Sequence, residues 1–469
     1  MKILITGASG FIGQHLIIQL MRANHELILL SRNPTSLQNI YGKTHQYIKW
    51  DSLSGPPPKE AFSQVDTIIN LMGEGVANKR WTKQQKQKIY DTRIKGTQHL
   101  IDGALKHANT LSTLIQASAI GYYDHYTDQE IDTNSPPSSD FLGQLCQDWE
   151  STAASINKRQ NVRTVYIRIG LVIGNGGALT KLTAPFLLGL GGKIGSGKQW
   201  MNWIHVEDLT RLIIKTMQDK TCQGPYNGVA HQNATNKTFT KTLGSILKRP
   251  TLFTVPKWVL KIILGELAKD ICRGQKINSN NIKKLDFKFN YPDLHSALEN
   301  ALGIKYIPHL NKKIRCQQLH THQYIQKPPK DIFNFFSDVH NLERITPPFL
   351  HFKITSQSTQ NIQQNTLFTY KLRIRGIPIK WTTLICNWNP ISSFIDTQLK
   401  GPYYVWHHTH TFTPYKKGTF LEDHVYYALP RIPFLNLLRF FIRKDIINIF
   451  NYRKNTTHSL LNSSKNNSV

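Results

Sequence analysis

Gly7, Gly10 and Gly13 recur every three residues in Thr6-Gly-Ala-Ser-Gly-Phe-Ile-Gly13. They lie between a short apolar run, residues 2–6, and a segment, 15–23, whose apolar residues recur at helical spacing. Glycines so placed permit a tight turn, let the backbone approach a pyrophosphate and let the helix pack closely on the strand. The helix start adds unpaired N–H groups and a partial positive charge. That is the chemistry of a dinucleotide site, with Gly7, Ser9, Gly10, Phe11, Ile12 and Gly13 as candidate contacts. A second apolar run, 26–30, ends at Ser31-Arg32. An acid there would bind a ribose 2′-hydroxyl and repel a 2′-phosphate, whereas a guanidinium favours the phosphate, so NADP(H) is expected over NAD(H) with Ser31 and Arg32 as contacts. After a third run, 65–71, the loop Asn70-Leu-Met-Gly-Glu-Gly75 offers Leu71, Gly73 and Glu74 where the cofactor would cross the edge of a sheet.

The elements that must hold these residues follow from the same pattern. Runs at 113–118 and 163–169 continue the series, separated by helix-length segments, and 209–217 is again helical in spacing. Strand alternating with helix predicts an α/β fold, a Rossmann-type doubly wound parallel sheet over residues 1–230, followed by a mixed region over 231–310. Residues 311–320 turn polar and basic and read as a linker. From 321 to 460 the texture changes to β-rich runs at 352–355, 367–374, 379–387, 394–399, 405–412 and 419–429, closed by a long helix at about 433–456, which predicts a second, α+β domain. The Ser/Asn-rich tail, 461–469, is expected to be disordered.

The chain has 469 residues, enough for about two or three domains. Its 40% apolar content sets it outside the disordered class despite a net charge of +29. The basic excess is denser after residue 310, where 21 Lys and Arg face 7 Asp and Glu. It carries no nucleic-acid module signature and reads as a solvated Lys-rich surface, so no nucleic-acid partner is expected. Neither a secretory leader nor an apolar run long enough for stable membrane insertion is read here. Five cysteines without a CxxC spacing give no disulfide or zinc framework, and the cytoplasm is the default compartment. Gly192-Lys-Ile-Gly-Ser-Gly-Lys198 imitates a nucleotide phosphate loop, but Gln199 stands where a magnesium-binding hydroxyl is needed.

Thr6 to Gly13, Asn70-Leu-Met-Gly-Glu74, Arg80-Trp-Thr82, Ser118-Ala-Ile-Gly-Tyr-Tyr123, Phe141-Leu142 with Cys146 and Trp149-Glu150, and Trp203-Ile-His-Val-Glu-Asp208 together resemble the atypical extended-type short-chain dehydrogenase/reductases of the sugar-nucleotide epimerase-like kind. Gly265-Glu266, Gly274-Gln275, Phe287-Lys-Phe-Asn-Tyr-Pro292 and Ala297-Leu298 are similar to that family's own carboxyl-terminal extension. The resemblance implies a small-molecule substrate and an oxidoreductase or epimerase-like activity, and it is compatible with a homo-oligomer. The wider superfamily pairs a proton-exchanging tyrosine with a lysine four residues later. None of the 18 tyrosines here has that lysine. Aligned on Glu150, Leu142 takes the tyrosine place and Cys146 the lysine place. Ser118 falls where the superfamily puts its carbonyl-polarising hydroxyl, and Tyr122 and Tyr123 follow closely enough to share a pocket. These three are the catalytic candidates, and a cofactor sensor without turnover is the competing expectation.

In the second domain, residues 328–338, Gly401-Pro402, Trp406, His408-Thr-His410, Gly418-Thr419, Asp423-His-Val-Tyr426 and Leu429-Pro430 resemble the helix-grip superfamily of polyketide cyclases and lipid-transfer domains. That implies an antiparallel sheet curled around the terminal helix and an apolar cavity for a hydrophobic ligand, with Phe368, Tyr370, Trp381, Trp388, Tyr404 and Trp406 as lining candidates. His408 and His410 would share a strand face. With no carboxylate fixed beside them by local sequence, they read as ordinary strand histidines and no metal is expected.

Overall fold

A computed structural model describes residues 1–124, 129–159, 161–309, 312–430, 432 and 435–462. The chain divides into two compact units, Met1–Gln38 with His45–Leu302, and Asn39–Thr44 with Gly303–Val469.

The first unit is built on seven parallel strands: β1 (Lys2–Thr6), β2 (Glu26–Ser31), β3 (Gln46–Lys49), β4 (Thr67–Asn70), β5 (Thr113–Ala119), β6 (Arg163–Ile169) and β7 (Gly224–Gly228). Their order is β7-β6-β5-β4-β1-β2-β3, so the chain winds outward from β1 through β3 and restarts at β4 on the other side. The carboxyl ends of β1 and β4 therefore flank the switch point, where open α/β sheets bind ligands. Ile3, Leu4 and Ile5 are wholly buried, as a strand covered by helices on both faces requires. Helix α1 (Phe11–Arg22) follows the glycine turn and buries Leu16, Ile17, Leu20 and Met21, the stripe that its periodicity predicts. Helix α2 (Lys83–His107) starts at Thr82, whose side chain accepts from the Gln85 N–H. Helix α3 (Phe141–Ala154) starts at Asp140, which accepts from the Gly143 N–H at 2.9 Å. Helix α4 (Val206–Gln218) spans the expected segment and is capped by His205. One core under the sheet joins Leu4, Ile68 and Leu114 to Leu100, Ile101 and Ala104 of α2. Residues 231–302, read from sequence as a separate stretch, belong to this same unit.

The second unit carries an eight-stranded antiparallel sheet. Its strands are β8 (Ile304–His309), β9 (Lys312–Ile325), β10 (Lys353–Gln357), β11 (Leu367–Ile374), β12 (Ile377–Asn389), β13 (Ser393–Lys400), β14 (Val405–Tyr415) and β15 (Gly418–Ala428), in the order β8-β9-β15-β14-β13-β12-β11-β10. Helix α5 (Pro329–Phe336) interrupts the strands and helix α6 (Leu435–Asn462) closes the unit. The six β-rich runs of the sequence reading each become a strand. The expected linker at 311–320 does not exist as such: residues 312–320 are the first part of β9, paired with β8 on one side and β15 on the other. Leu461 and Asn462 of the expected tail belong to α6. Residues 463–469 lie outside the described residues. Among the described residues no helix is long and apolar enough to cross a membrane.

Candidate functional site

At the switch point of the first unit, Gly7 has φ +66°, a left-handed turn that only glycine adopts without strain. A Cβ there would lie 2.6 Å from the Leu71 carbonyl oxygen, so the turn after β1 and the loop after β4 touch backbone to backbone. A Cβ on Gly13 would collide with the Gly7 carbonyl. The Gly10 N–H donates to that carbonyl at 2.9 Å, and Gly10 caps α1 without a side-chain acceptor, leaving first-turn N–H groups for a ligand. Ser9 and Gly10 are exposed, and Phe11 and Ile12 are half-buried. The residues present fit a pyrophosphate: the glycines make a cradle that any side chain would fill.

A buried network fixes this crevice from below. Thr6 Oγ1 donates to Asn70 Oδ1 at 2.6 Å and accepts from the Leu71 N–H at 3.2 Å. Asn70 Nδ2 donates to Gln116 Oε1 at 2.8 Å and Thr97 Oγ1 at 3.1 Å, and Trp149 Nε1 donates to the same Thr97 oxygen at 2.9 Å. The loop beyond is tied to α2: the Glu74 N–H donates to Thr92 Oγ1 at 3.1 Å and Arg93 Nη1 donates to the Glu74 carbonyl at 2.9 Å. The Arg93 side chain abuts Gly73, where a Cβ would meet its guanidinium at 2.8 Å. Burial lowers Arg93 to about 10, so it stays a cation at neutral pH. At the end of β2, the Ser31 hydroxyl accepts from the Asn33 N–H at 3.1 Å and Arg32 is exposed.

Ser118, near the carboxyl end of β5, Tyr122 and Tyr123 do come together, around a buried ion pair. Ser118 Oγ donates to Glu150 Oε1 at 2.6 Å. Arg168 on β6 grips Glu150 through Nε at 2.9 Å and Nη2 at 2.8 Å, and donates through Nη1 to the Tyr123 hydroxyl at 2.8 Å. That hydroxyl donates to Asn227 Oδ1 at 2.7 Å. Tyr123 is fully buried, and desolvation pushes it up to about 12 against the pull of Arg168. Of the three candidates only Tyr122 is partly exposed, its ring 3.5 Å from the Arg168 guanidinium carbon. Cys146 is buried, and its thiol is pushed up to about 12 by desolvation and the Glu150 charge, so it is no nucleophile. Sequence reasoning missed Arg168 and Asn227. The available signal was an arginine inside the otherwise apolar run Val165-Tyr-Ile-Arg168-Ile.

In the second unit the sheet, α6 and residues of the 335–352 segment line a partly open cavity of about 180 Å³. Phe368, Tyr370, Trp381 and Trp406 line it as expected. Trp388 packs instead against Phe333 and Phe394, and Tyr404 is exposed, so neither lines it. His408 and His410 share the inner face of β14, and strand pairing brings them the carboxylates that local sequence withheld. Asp396 on β13 lies opposite His408, and Asp423 on β15 lies opposite His410. His408 places Nδ1 3.2 Å from Asp396 Oδ2 and Nε2 3.0 Å from Asp423 Oδ1. His410 places Nε2 3.4 Å from Asp396 Oδ2 and Nδ1 2.9 Å from Asp423 Oδ1. Desolvation would raise both carboxyls, but the two imidazoles outweigh it and hold them below the usual carboxylate range. The two histidines are thus satisfied within the sheet, by carboxylates that only strand pairing supplies.

Comparison with known proteins bears on the first unit. The profile of the NAD dependent epimerase/dehydratase family matches residues 3–227, and that of a domain of unknown function, DUF1731, matches residues 255–301. Epimerase family protein YfhF of Bacillus subtilis is 35% identical over 304 residues, 65% of this chain and 98% of that protein. The chloroplastic homolog of epimerase family protein SDR39U1 from Arabidopsis thaliana is 34% identical over 309 residues, 64% of this chain and 86% of that protein. The crystal structure of human epimerase family protein SDR39U1 (isoform 2) with NADPH superposes with a TM-score of 0.57 at 32% identity, over 64% of this chain and 99% of that one. Given a glycine crevice of this geometry and relatives matched over nearly their whole length, the chain belongs to the NAD dependent epimerase/dehydratase family.

Proposed function

We propose that the first unit binds NADP(H) and works as an oxidoreductase or epimerase-like protein on a small molecule, and that the second is a helix-grip domain for a hydrophobic or amphipathic ligand. The observation that carries the cofactor assignment is the backbone contact of Gly7 with Leu71 at the switch point, below an uncapped helix start. It is supported by a relative at 32% identity solved with NADPH. The glycine turn and the first N–H groups of α1 would hold the pyrophosphate, Ser31 and Arg32 the 2′-phosphate, and Leu71, Gly73 and Glu74 the path toward the nicotinamide. When bound, the cofactor supplies a hydride donor or acceptor. Tyr122, the one partly exposed residue of the three, would exchange a proton at that end, while Ser118 and Tyr123 hold the ion pair beneath its ring.

A second reading, a cofactor sensor without turnover, is favoured by one observation: Ser118 and Tyr123 are buried with their hydroxyls spent inside the protein, and Cys146 occupies the lysine place as a protonated thiol. For the second unit, support comes from the antiparallel sheet packed against α6 through Val425, Tyr427, Ile446 and Phe450, and from an apolar cavity with few polar groups. Calorimetric titration with NADPH and NADH tests the cofactor. R32D should weaken NADPH by about 10–100-fold, the worth of a charge-assisted contact, and leave NADH nearly unchanged. Equal losses would remove the assignment. Turnover of any carbonyl or nucleotide-sugar substrate, lost in Y122F, favours the enzyme; cofactor binding without oxidation across the panel favours the sensor.

A further inference from the structure

We propose that Asp396, His408 and His410 are the ligands of a divalent transition-metal site, zinc in kind, at the polar end of the cavity in the second unit. Asp423 orients both imidazoles from behind, and the remaining coordination position opens into the cavity. Three independent features of the geometry carry this.

The first is spacing. A tetrahedral zinc ion with bonds of about 2.0–2.1 Å separates its ligand atoms by about 3.3 Å. His408 Nδ1 and His410 Nε2 stand 3.2 and 3.4 Å from Asp396 Oδ2, and one ligand atom from each of the three residues falls within 4.8 Å of the others. These are edges of such a tetrahedron before any metal draws them in. The ligands sit on adjacent strands in fixed register, Asp396 opposite His408, so the set is held by the backbone of the sheet.

The second feature is which nitrogen faces which carboxylate. Nδ1 of His408 and Nε2 of His410 turn to Asp396, while the opposite ring nitrogens, Nε2 and Nδ1, both turn to Asp423 Oδ1 at 3.0 and 2.9 Å. A metal-bound imidazole characteristically gives its other N–H to a carboxylate, which fixes the tautomer and the ring. Here one carboxylate serves both rings, and it is itself held by Thr321 Oγ1 at 3.3 Å. His410 Nδ1 has no aligned hydrogen bond despite its distance, and its side chain is 3% exposed. A small rotation of that ring toward a metal at Nε2 would align it.

The third feature is charge and access. Two carboxylates whose side chains are only 16% and 14% exposed are best matched by two positive charges, which come either from two imidazolium protons or from one divalent cation between neutral imidazoles. Asp396, His408 and His410 all line the cavity, whereas Asp423 is not part of its wall. The ligand side of the cluster thus faces the opening and the orienting side faces the sheet. Phe394 stacks on His410 at 4.2 Å and Phe450 packs edge-on against His408 at 5.3 Å, an apolar collar that keeps the ion from bulk water. The open position would take water or an oxygen of an amphipathic ligand, and Arg453, also in the wall, suits an anionic head group. The metal site does not depend on the cofactor assignment of the first unit.

The test uses the full-length chain stripped with chelator and titrated with zinc or cobalt(II) against a chromogenic competitor. One ion per chain, with the intense visible bands of a low-coordinate cobalt site, is expected. D396N and H410Q should lose stoichiometric uptake, and D423N should weaken it by about 10–100-fold. H320Q should leave it intact, because His320 belongs to a separate, more exposed trio with Glu422 and His424. No stoichiometric uptake, or uptake lost in H320Q and kept in D396N, overturns the proposal. Should D396N and H410Q fail to fold, X-ray absorption of the wild-type zinc protein decides. Two imidazoles with a carboxylate support the site, and any other shell overturns it.

Discussion

Arg168 meets Glu150 side-on, Nε to Oε1 at 2.9 Å and Nη2 to Oε2 at 2.8 Å, with the arginine side chain only 4% exposed. The pair spans from strand β6 to helix α3 and gathers Ser118, Tyr122 and Tyr123 around it. A bidentate ion pair so deeply placed is satisfied only as a whole. E150Q would leave the guanidinium buried against a neutral amide and should cost about 3–5 kcal/mol in thermal or denaturant unfolding. Replacing both partners by apolar residues, E150L with R168M, should cost less than E150Q alone. If the double variant is the weaker of the two, the pair is a net stabiliser beyond its mutual compensation.

His205 gives the first unit an acid-sensitive joint. It caps α4 by accepting the Glu207 N–H on Nδ1 at 3.3 Å, a role only an unprotonated nitrogen can play. Desolvation, with the His15 charge, lowers it to about 3 from 6.5. The unfolded chain therefore takes up a proton between about pH 6.5 and 3 that the folded chain refuses, so stability falls as pH drops through that window. H205N keeps a capping side chain and removes the titration. Its unfolding free energy should decline less steeply than wild type between pH 6.5 and 4, while a parallel decline would show that other groups carry the acid limb.

How much of this was legible in the sequence depends on how local each feature is. The glycine turn, its strand and its helix occupy Lys2–Arg22, and every cue there acts on near neighbours. Glu150 and Arg168 are 18 residues apart on different elements, and although the apolar run around Arg168 marks it as buried, nothing local names Glu150 as its partner. The period of a strand places His408 and His410 on one face, but Asp396 and Asp423 reach them only through the registers of β13 with β14 and of β14 with β15. The misread linker has the same cause. Residues 312–320 are polar because much of β9 stays half-exposed, and only its pairing, with β8 over 312–317 and with β15 from 317 onward, invisible locally, makes it a strand.

Cys146 offers a direct chemical check on the site. A thiol raised to about 12 holds almost no thiolate near pH 8, and its side chain is 2% exposed. In the folded protein, iodoacetamide at pH 8 should leave Cys146 unmodified over hours, with full labelling after denaturation, read by peptide mass spectrometry. Labelling in the native state at a rate near that of a free thiol would mean that the pocket around Ser118 and Glu150 opens, and would make Cys146 a candidate nucleophile. Stability should also fall above about pH 9 as the unfolded thiol ionises and the folded one does not.

Gly7 separates the cost of a left-handed backbone from the cost of a blocked crevice. Its φ of +66° alone penalises alanine by about 1 kcal/mol. The added Cβ must also push the Leu71 carbonyl, 2.6 Å away, and Leu71 cannot drift freely because its N–H is tied to Thr6 Oγ1. Gly189 is the natural control, with φ +77° and nothing within 4 Å of its Cβ position. G189A should lose about 1 kcal/mol of stability and bind NADPH as wild type does. G7A should lose about 2–3 kcal/mol and more than tenfold in NADPH affinity, since the turn and the loop it pries apart are the two walls of the proposed pyrophosphate seat. Calorimetry on the three proteins at one temperature reads both quantities. A G7A protein that binds NADPH normally would move the cofactor away from the switch point between β1 and β4.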